Sequence, residues 1–306
     1  MVPTLTKFLE LPNVFDQIFS ELQNEHDSGL FKSILDGEIW KTIKNKFTGK
    51  IVLPLLLFFD DFEINNPLGS HSVIQKLGAI YYTIACIPHK YRSKLENIFL
   101  AQLHRTKDVK SFGINKVFKH LVEELSVPET NGVTINVNGQ VKTVYFVLAA
   151  FIGDNLGLNE LFGLSTSFNA NYCCRICSAS SYILDLENLS NGIVQECILN
   201  ELKNFHITEN ITVDIMHDMM EGICRYELGE ILYHFIMIEQ LFSLQTFNSR
   251  LRFFDFGDRS SLNKPTSISD ISLRKKVIIC SASEMLCIIK YVGFIIGDFV
   301  PENNKV

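Results

Sequence analysis

The chain has 306 residues, 47% hydrophobic and 20% charged, with a formal net charge of −6. That length holds one large domain or two ordinary ones, and the apolar share is ample for a core and excludes an intrinsically disordered chain. The acidic balance is the reverse of what a nucleic-acid binder usually shows, so any phosphate contact must come from a local basic patch or from another part of a longer protein.

Residues 1–47 read as an N-terminal helical segment, with Phe15, Ile18, Phe19 and Leu22 at helical spacing and Trp40 grouped with Ile39, Ile43 and Phe47. These residues are expected to pack rather than to act. The period then changes. Ile51 to Phe59 is an unbroken apolar run, suited to a strand buried on both faces, and it closes on Asp60 and Asp61. Asn65-Asn-Pro-Leu-Gly69 is turn chemistry. Leu77 to Ile87 predicts a second strand ending at Pro88, Leu95 to Leu103 a third, and Ile114 to Leu125 a helix with Val117, Phe118, Leu121 and Leu125 on one face. Val133 to Val137 followed by Asn138-Gly139 is a hairpin signal, and the next strand, Val144 to Ile152, closes on Gly153-Asp154. Strand, strand, strand, helix, strand is the order of ribonuclease H-like folds, in which a crossover helix brings the last strand parallel to the first.

The fold class expected is therefore α/β: a ribonuclease H-like mixed sheet, first part at 48–165, with a Cys-rich insert at 166–206 and a helical C-terminal half at 207–306 that completes the core around a helical insertion. Asn210 to Asp214 predicts a short strand, and helices follow over Met220–His234, Phe235–Phe247 and Leu273–Gly297, with a surface loop at Asp255–Ser261. The sequence opens and closes abruptly and is expected to be part of a longer protein.

Eight cysteines do not make a disulfide scaffold at this length, and the first residues lack the basic start and apolar run of a signal peptide. A reducing compartment is the default, with thiols free or holding metal. The most apolar stretch, Val277 to Val300, carries Glu284, Lys290 and Asp298, so it reads as a buried helix rather than a membrane span.

Acids at the ends of buried strands have two readings. Hard cations take oxygen ligands, and a rigid sheet fixes the spacing that in-line phosphoryl chemistry needs, which makes Asp60 and Asp154 a candidate metal pair. Aspartate also simply suits turns. Alternation places Asp61 on the face opposite Asp60. Asn65, Ser70 and His71 follow in the next loop as lesser candidates. Cys174-Arg-Ile-Cys177 can offer two thiolates to one zinc, with Cys197 and His206 as further ligands in the same segment, or be a pair of buried thiols. Asp214-Ile-Met-His217-Asp218 sets an imidazole between two acids, suited to metal binding, to general base chemistry or to capping the next helix. Glu284 is the best candidate for a third acid, with Glu221 and Glu227 competing. As a first-turn residue it equally suits a helix N-terminus.

Five stretches in register resemble the catalytic region of transposases of the CACTA (En/Spm) group in its animal form. They are Phe59-Asp-Asp-Phe-Glu-Ile-Asn-Asn-Pro-Leu-Gly-Ser-His71, Gly153-Asp-Asn-Leu-Gly-Leu158, Cys174-Arg-Ile-Cys177, Val213-Asp-Ile-Met-His-Asp-Met-Met-Glu-Gly222, and Ser281-Ala-Ser-Glu284 with Ile296-Gly-Asp-Phe-Val-Pro301. The resemblance implies a DDE/D transposase core in which Asp60 and Asp154 are the first two acids, Asp214 and His217 form an Asp-x-x-His signature, and Glu284 takes the place of the third acid. It implies two Mg2+ ions held by Asp60, Asp154 and Glu284, transposon-end DNA as partner, self-association as a further partner class, no membrane, and a nuclear location. It also favours a structural Zn2+ on Cys174, Cys177, Cys197 and His206. The rival expectations are a catalytically silent, transposon-derived binding or scaffold module, and a metal-dependent hydrolase of small phosphoesters.

Overall fold

A mixed sheet organises residues 51–152. In the computed structural model, which describes residues 1–24, 31–63, 76–167, 193–210, 212–257 and 264–304, the apolar run from Ile51 becomes β1 (Ile51–Glu63). Its partners are β2 (Lys76–Ile84), antiparallel, and β5 (Gln140–Ile152), parallel. A third strand, β3 (Phe99–Arg105), extends the sheet antiparallel to β2, and β4 (Val133–Val137) pairs antiparallel with β5. The order is β3-β2-β1-β5-β4, a mixed sheet. The β4–β5 turn has Asn138 at φ 51° and Gly139 at φ 79°, the two left-handed residues that a tight hairpin matching strand twist requires. Pro54 lies in the central strand beside the point where the β1–β5 register shifts, between Leu55 and Leu56, a place where a missing N–H is tolerated.

Alternation along β1 sorts the two faces. Leu53, Leu55 and Leu57 point to one side with Ile80, Tyr82 and Ile84, where α1 (Val2–Leu9), α2 (Val14–Gln23) and the crossover helix α6 (Ile114–Thr130) supply Leu5, Phe15, Ile18, Phe118, Leu121 and Leu125. Val52 and Val147 point the other way and meet Trp40 and Ile43 of α3 (Glu38–Lys46). The N-terminal helices thus belong to the core that covers both faces of the sheet. So does the tail of the expected insert: Cys197, Leu199, Leu202 and Phe205 are buried in the larger core, with Ile207 just after it. Between β2 and β3 lies α4 (His89–Arg92). α5 (Thr106–Phe112) follows β3, and α7 (Asn155–Leu161) follows β5.

The chain divides into two compact units, Met1–Thr212 and Val213–Val306. The second is helical. A π-helix (Ile215–Ile223) leads into α8 (Cys224–Tyr233) and a shorter π-helical turn (His234–Ile238). Then come α9 (Leu244–Phe253), α10 (Asp270–Arg274) and α11 (Ala282–Ile296) around Leu228, Leu232, Phe247, Leu251 and Ile288.

Three expectations need correction. No strand forms among the described residues of Asn210–Asp214. Instead the Asn210 side-chain amide donates to the Ala149 carbonyl and the Thr212 hydroxyl to that of Phe151. Side chains satisfy the β5 carbonyls beyond Val144, where β4 no longer runs alongside, so a backbone ladder is not needed. The helix expected over Phe235–Phe247 is broken at Gln240, φ 54°, and restarts under a Ser243 cap. The helix expected over Leu273–Gly297 is broken at Lys276, φ 56°. There the chain turns back so that the Ile278 N–H donates to Arg225 O, and α11 begins after Ser281. The turn expected at 65–69 and most of the Cys-rich segment lie outside the described residues. Among the described residues no helix is long and apolar enough to cross a membrane.

Candidate functional site

β1 and β5 run in the same direction and their last paired residues, Phe58 and Ile152, are Cα partners. Asp60 and Asp154 each follow two residues later, so both acids lie toward the same end of the sheet, Asp60 still within β1 and paired with Ala79 of β2, Asp154 just past the end of β5. Asp60 is exposed. Asp154 caps α7: its Oδ1 accepts the Gly157 N–H at 2.5 Å. A Cβ on Gly157 would lie 2.9 Å from both that oxygen and the Phe59 ring, so glycine lets the helix start close against the end of β1.

Asp61 also stands at this end, on the face of β1 opposite Asp60. Its carboxyl is pushed above the ordinary aspartate range, first by desolvation and then by the negative charges of Glu160, Asp154 and Asp60, with Lys76 opposing. Four carboxylates from β1, the β5–α7 junction and α7 are therefore electrostatically in touch. Among the described residues, however, no three His, Cys, Asp or Glu side chains converge closely enough to hold a metal ion.

A residue with no sequence signal completes the neighbourhood. The register pairs Asp61 with Gly78 and Gly78 with His104, so the three lie side by side across β1, β2 and β3. An ideal Cβ on Gly78 would sit 2.4 Å from His104 Nε2 and 2.9 Å from Asp61 Oδ1, so these two side chains fill the space that any residue larger than glycine would need. The His104 ring is stacked on Phe59 (centroids 6.1 Å apart, planes 6° apart) and meets Phe118 edge-on at 5.1 Å. Burial pushes its pKa down, and its Nδ1 is buried with no hydrogen-bond partner. Nothing in the isolated string Gln102-Leu-His104-Arg marks this histidine. Only strand register shows it.

Beside the same end of the sheet the chain has its clearest basic stretch. Arg105, Lys107 and Lys110 on β3 and α5, and Lys116 and Lys119 on α6, are all exposed, against a single acid, Asp108.

The second unit holds the Asp-x-x-His signature. Asp214, at the π-helix N-terminus, accepts the His217 backbone N–H on Oδ1 (3.0 Å) and faces His217 Nδ1 with Oδ2 at 2.5 Å. A carboxylate can only accept, so the imidazole carries its proton on Nδ1. The capping role expected of Asp218 thus falls to Asp214, which also holds the histidine. The Asp214 side chain is only 8% exposed while that of His217 is 42% exposed. Gly222 closes the π-helix with a non-helical backbone, and a Cβ there would stand 2.7 Å from His217 O.

Glu284 makes the capping box of α11. Ser281 Oγ accepts the Glu284 N–H, while Glu284 Oε2 accepts the Ser281 N–H (2.9 Å) and hydroxyl (2.7 Å) and Oε1 accepts the Thr266 N–H (3.1 Å). These bonds, the Ser281 N–H foremost, hold its pKa below the ordinary glutamate value. Glu221 lies on the π-helix.

Of the anticipated zinc ligands, Cys174 and Cys177 lie outside the described residues. Cys197 is buried, its thiol facing Leu161 O at 3.6 Å and pushed up to about 11 by burial. His206 is exposed, with Nδ1 against Thr208 Oγ1 at 2.7 Å.

Comparison of the chain with known protein families and with curated proteins finds no match.

Proposed function

We propose that this chain is the core of a metal-dependent enzyme that cleaves and transfers DNA strands in the manner of DDE/D transposases, on a ribonuclease H-like sheet. The observation that supports it most is the pairing of β1 with β5: two parallel neighbours that carry Asp60, Asp61 and Asp154 toward one end of the sheet. The donor chemistry fits a hard divalent cation, because the oxygens are carboxylate, and the desolvation and then the mutual repulsion that raise Asp61 would be offset by positive charge. Asp154 and the Asp60–Asp61 pair are the residues that would hold Mg2+, with Glu160 beside them. When bound, such ions activate a water or DNA 3′-hydroxyl and stabilise the leaving oxygen. The chain's own contribution is positioning. The sheet fixes β1 against β5, Gly157 admits Phe59 beneath the start of α7, and Arg105, Lys107, Lys110, Lys116 and Lys119 offer the DNA backbone a cationic path next to the acids. Enzyme work on DNA puts the protein in the nucleus. A structural zinc on Cys174 and Cys177 belongs to the same proposal, but the buried thiol of Cys197 is poorly suited to be its third ligand.

A second reading, a catalytically silent binding module, is favoured by two observations: Glu284 is engaged in a helix cap, and no three donors converge among the described residues. The experiment that separates the two incubates the purified chain with nicked and blunt-ended duplex DNA and Mg2+. Strand cleavage that is lost on adding a chelator and falls at least a hundredfold in Asp154→Asn supports the enzyme. DNA binding without any metal-dependent product supports the silent module.

A further inference from the structure

A cavity of about 600 Å³ lies between the α5–α6 junction, α7 and the chain at 163–167 and 194–195. Two of its lining residues fix where it stands. Glu160 is one of the carboxylates whose charge raises Asp61, so the cavity adjoins the acid end of the sheet. Lys110 belongs to the exposed basic stretch from Arg105 to Lys119. A polyanion laid along those cations toward the acids therefore passes the cavity.

The walls are held in place by hydrogen bonds. The Val194 and Gln195 N–H groups both donate to Gly163 O, at 2.8 and 3.1 Å, and the Asn159 amide donates to Ser165 O at 2.9 Å. The Asn115 side chain ties the start of α6 to the residues that follow, donating to Glu196 O and accepting the Ile198 N–H. A Cβ on Gly163 would lie 2.4 Å from Gln195 O, and its φ is 69°, so glycine is required where the two segments meet.

The lining has two characters. Val109, Ile114, Leu156, Leu164 and Val194 are aliphatic. Set among them are the Ser165, Thr166 and Ser167 hydroxyls and the Gln195 amide, groups that both donate and accept. Aliphatic walls with a few convergent polar groups are the make-up of a small-ligand site, and the volume falls within the roughly 300–1,000 Å³ that such sites span. A duplex cannot enter a space of this size. A flat heterocycle with polar edges, joined to a phosphate, matches both characters and Lys110. Among the described lining residues Glu160 is the one acid, and it balances Lys110. Burial of the ring, not net charge, must therefore supply the affinity. A paired base cannot offer its face without leaving the stack, whereas an unpaired one has its face free.

We propose that this cavity receives one unpaired nucleotide of a DNA strand, its base against Leu156 and Val194 and its phosphate at Lys110, and so leads the adjoining strand to the carboxylates. The inference rests on the DNA-processing reading for the identity of its ligand. It makes DNA with a frayed, mismatched or single-stranded end the preferred substrate class.

The test uses 2-aminopurine, which is dim in a base stack and bright outside it. Duplexes carry the probe either in a short single-stranded overhang or fully paired, and binding is measured in chelator. The described lining offers no aromatic ring to quench the probe, so overhang DNA is expected to brighten on binding. Spared the cost of unstacking, it is expected to bind about tenfold tighter than the paired duplex, or more. Leu156 and Val194 are 49% and 74% exposed, so Leu156→Gln combined with Val194→Gln alters the wall without emptying a core. That preference is expected to disappear in the double variant, whose folding is checked by its urea midpoint. Equal binding of the two DNAs by wild type, an overhang probe that stays dim, or a preference kept by the folded double variant overturns this inference and leaves the DNA reading standing. A free deoxynucleoside monophosphate that displaces overhang DNA at equal concentration overturns the strand as the source of the nucleotide. A wild-type chain that binds neither DNA overturns the DNA reading and this inference together. Cleavage of the same duplexes with Mg2+, assayed separately, tests the enzyme reading by itself.

Discussion

Removing the Glu284 carboxylate separates capping from catalysis. In Glu284→Ala three acceptor contacts vanish, from Ser281 N–H, Ser281 hydroxyl and Thr266 N–H. Water replaces part of what is lost at this partly exposed helix start. Loss of a cap typically destabilises by about 1 kcal/mol, within roughly 0.5–2. The additional tether to Thr266 places the expected loss in the upper half of that range, about 1–2 kcal/mol. With a urea slope of about 1–3 kcal/mol/M, the midpoint should fall by roughly 0.5–1 M. Glutamine also closes a capping box, so Glu284→Gln should lose less than about 0.5 kcal/mol. The pH dependence has a definite sign. Glu284 is held below the ordinary glutamate value, so its ionised form is the stabilising one. The difference between wild type and Glu284→Gln is therefore greatest above the unfolded value, about 4.3, and shrinks as pH falls through the lower folded value. Urea denaturation followed by far-UV circular dichroism at pH 7 and at pH 3 measures both effects. Unchanged stability in Glu284→Ala refutes the capping account. So does a Glu284→Gln protein that is fully stable yet has lost Mg2+-dependent strand cleavage, since that result makes Glu284 a metal ligand.

Asp61→Asn, measured in chelator at neutral pH, should stabilise the chain by about 0.5 kcal/mol, as expected for relieving an exposed like-charge contact. Because the folded-state pKa of Asp61 is raised, that gain is present above the folded value and disappears as pH falls below the unfolded one, and a loss of stability at pH 7 contradicts the repulsion. Lys107→Gln combined with Lys110→Gln should weaken duplex DNA binding in the absence of metal. It should also reduce the slope of log K against log salt by about 0.9 per phosphate contact removed, while an unaltered slope places the DNA elsewhere. Gly222→Ala should destabilise the second unit by about 1–3 kcal/mol, because the added Cβ meets His217 O at 2.7 Å, and a neutral outcome in a urea titration denies that the π-helix is closed by this contact.

The sheet was legible because its signals are local. An unbroken apolar run marks β1, and Asn138-Gly139 can scarcely be other than a hairpin turn, with both residues left-handed as that turn requires. The breaks in the helical half were not legible. Gln240 and Lys276 take left-handed backbone without being glycine or asparagine, and the apolar period runs straight through both. Lys276 is fixed there by tertiary packing: Gly229 of α8 lies so close to its carbonyl that a Cβ on Gly229 would be 2.2 Å away. Asn210 and Thr212 read as strand residues, but their side chains, not their backbone, reach β5. At the candidate site the strand-end acids and the Asp214–His217 pair could be found by spacing alone. His104 could not, because its meaning lies in the residue opposite it two strands away. Glu284 shows the converse: Ser-x-x-Glu before an apolar run is a capping signature, and the local chemistry accounts for the residue.

The most direct test is paramagnetic. In a titration of the 15N-labelled chain with Mn2+, the amide signals of Gly78, Gly153 and Gly157 are expected to broaden first, at substoichiometric metal, and to be spared in Asp154→Asn. Broadening scattered over the surface, or confined to residues outside the β1 and β5 strand ends, would mean that these acids grip no cation.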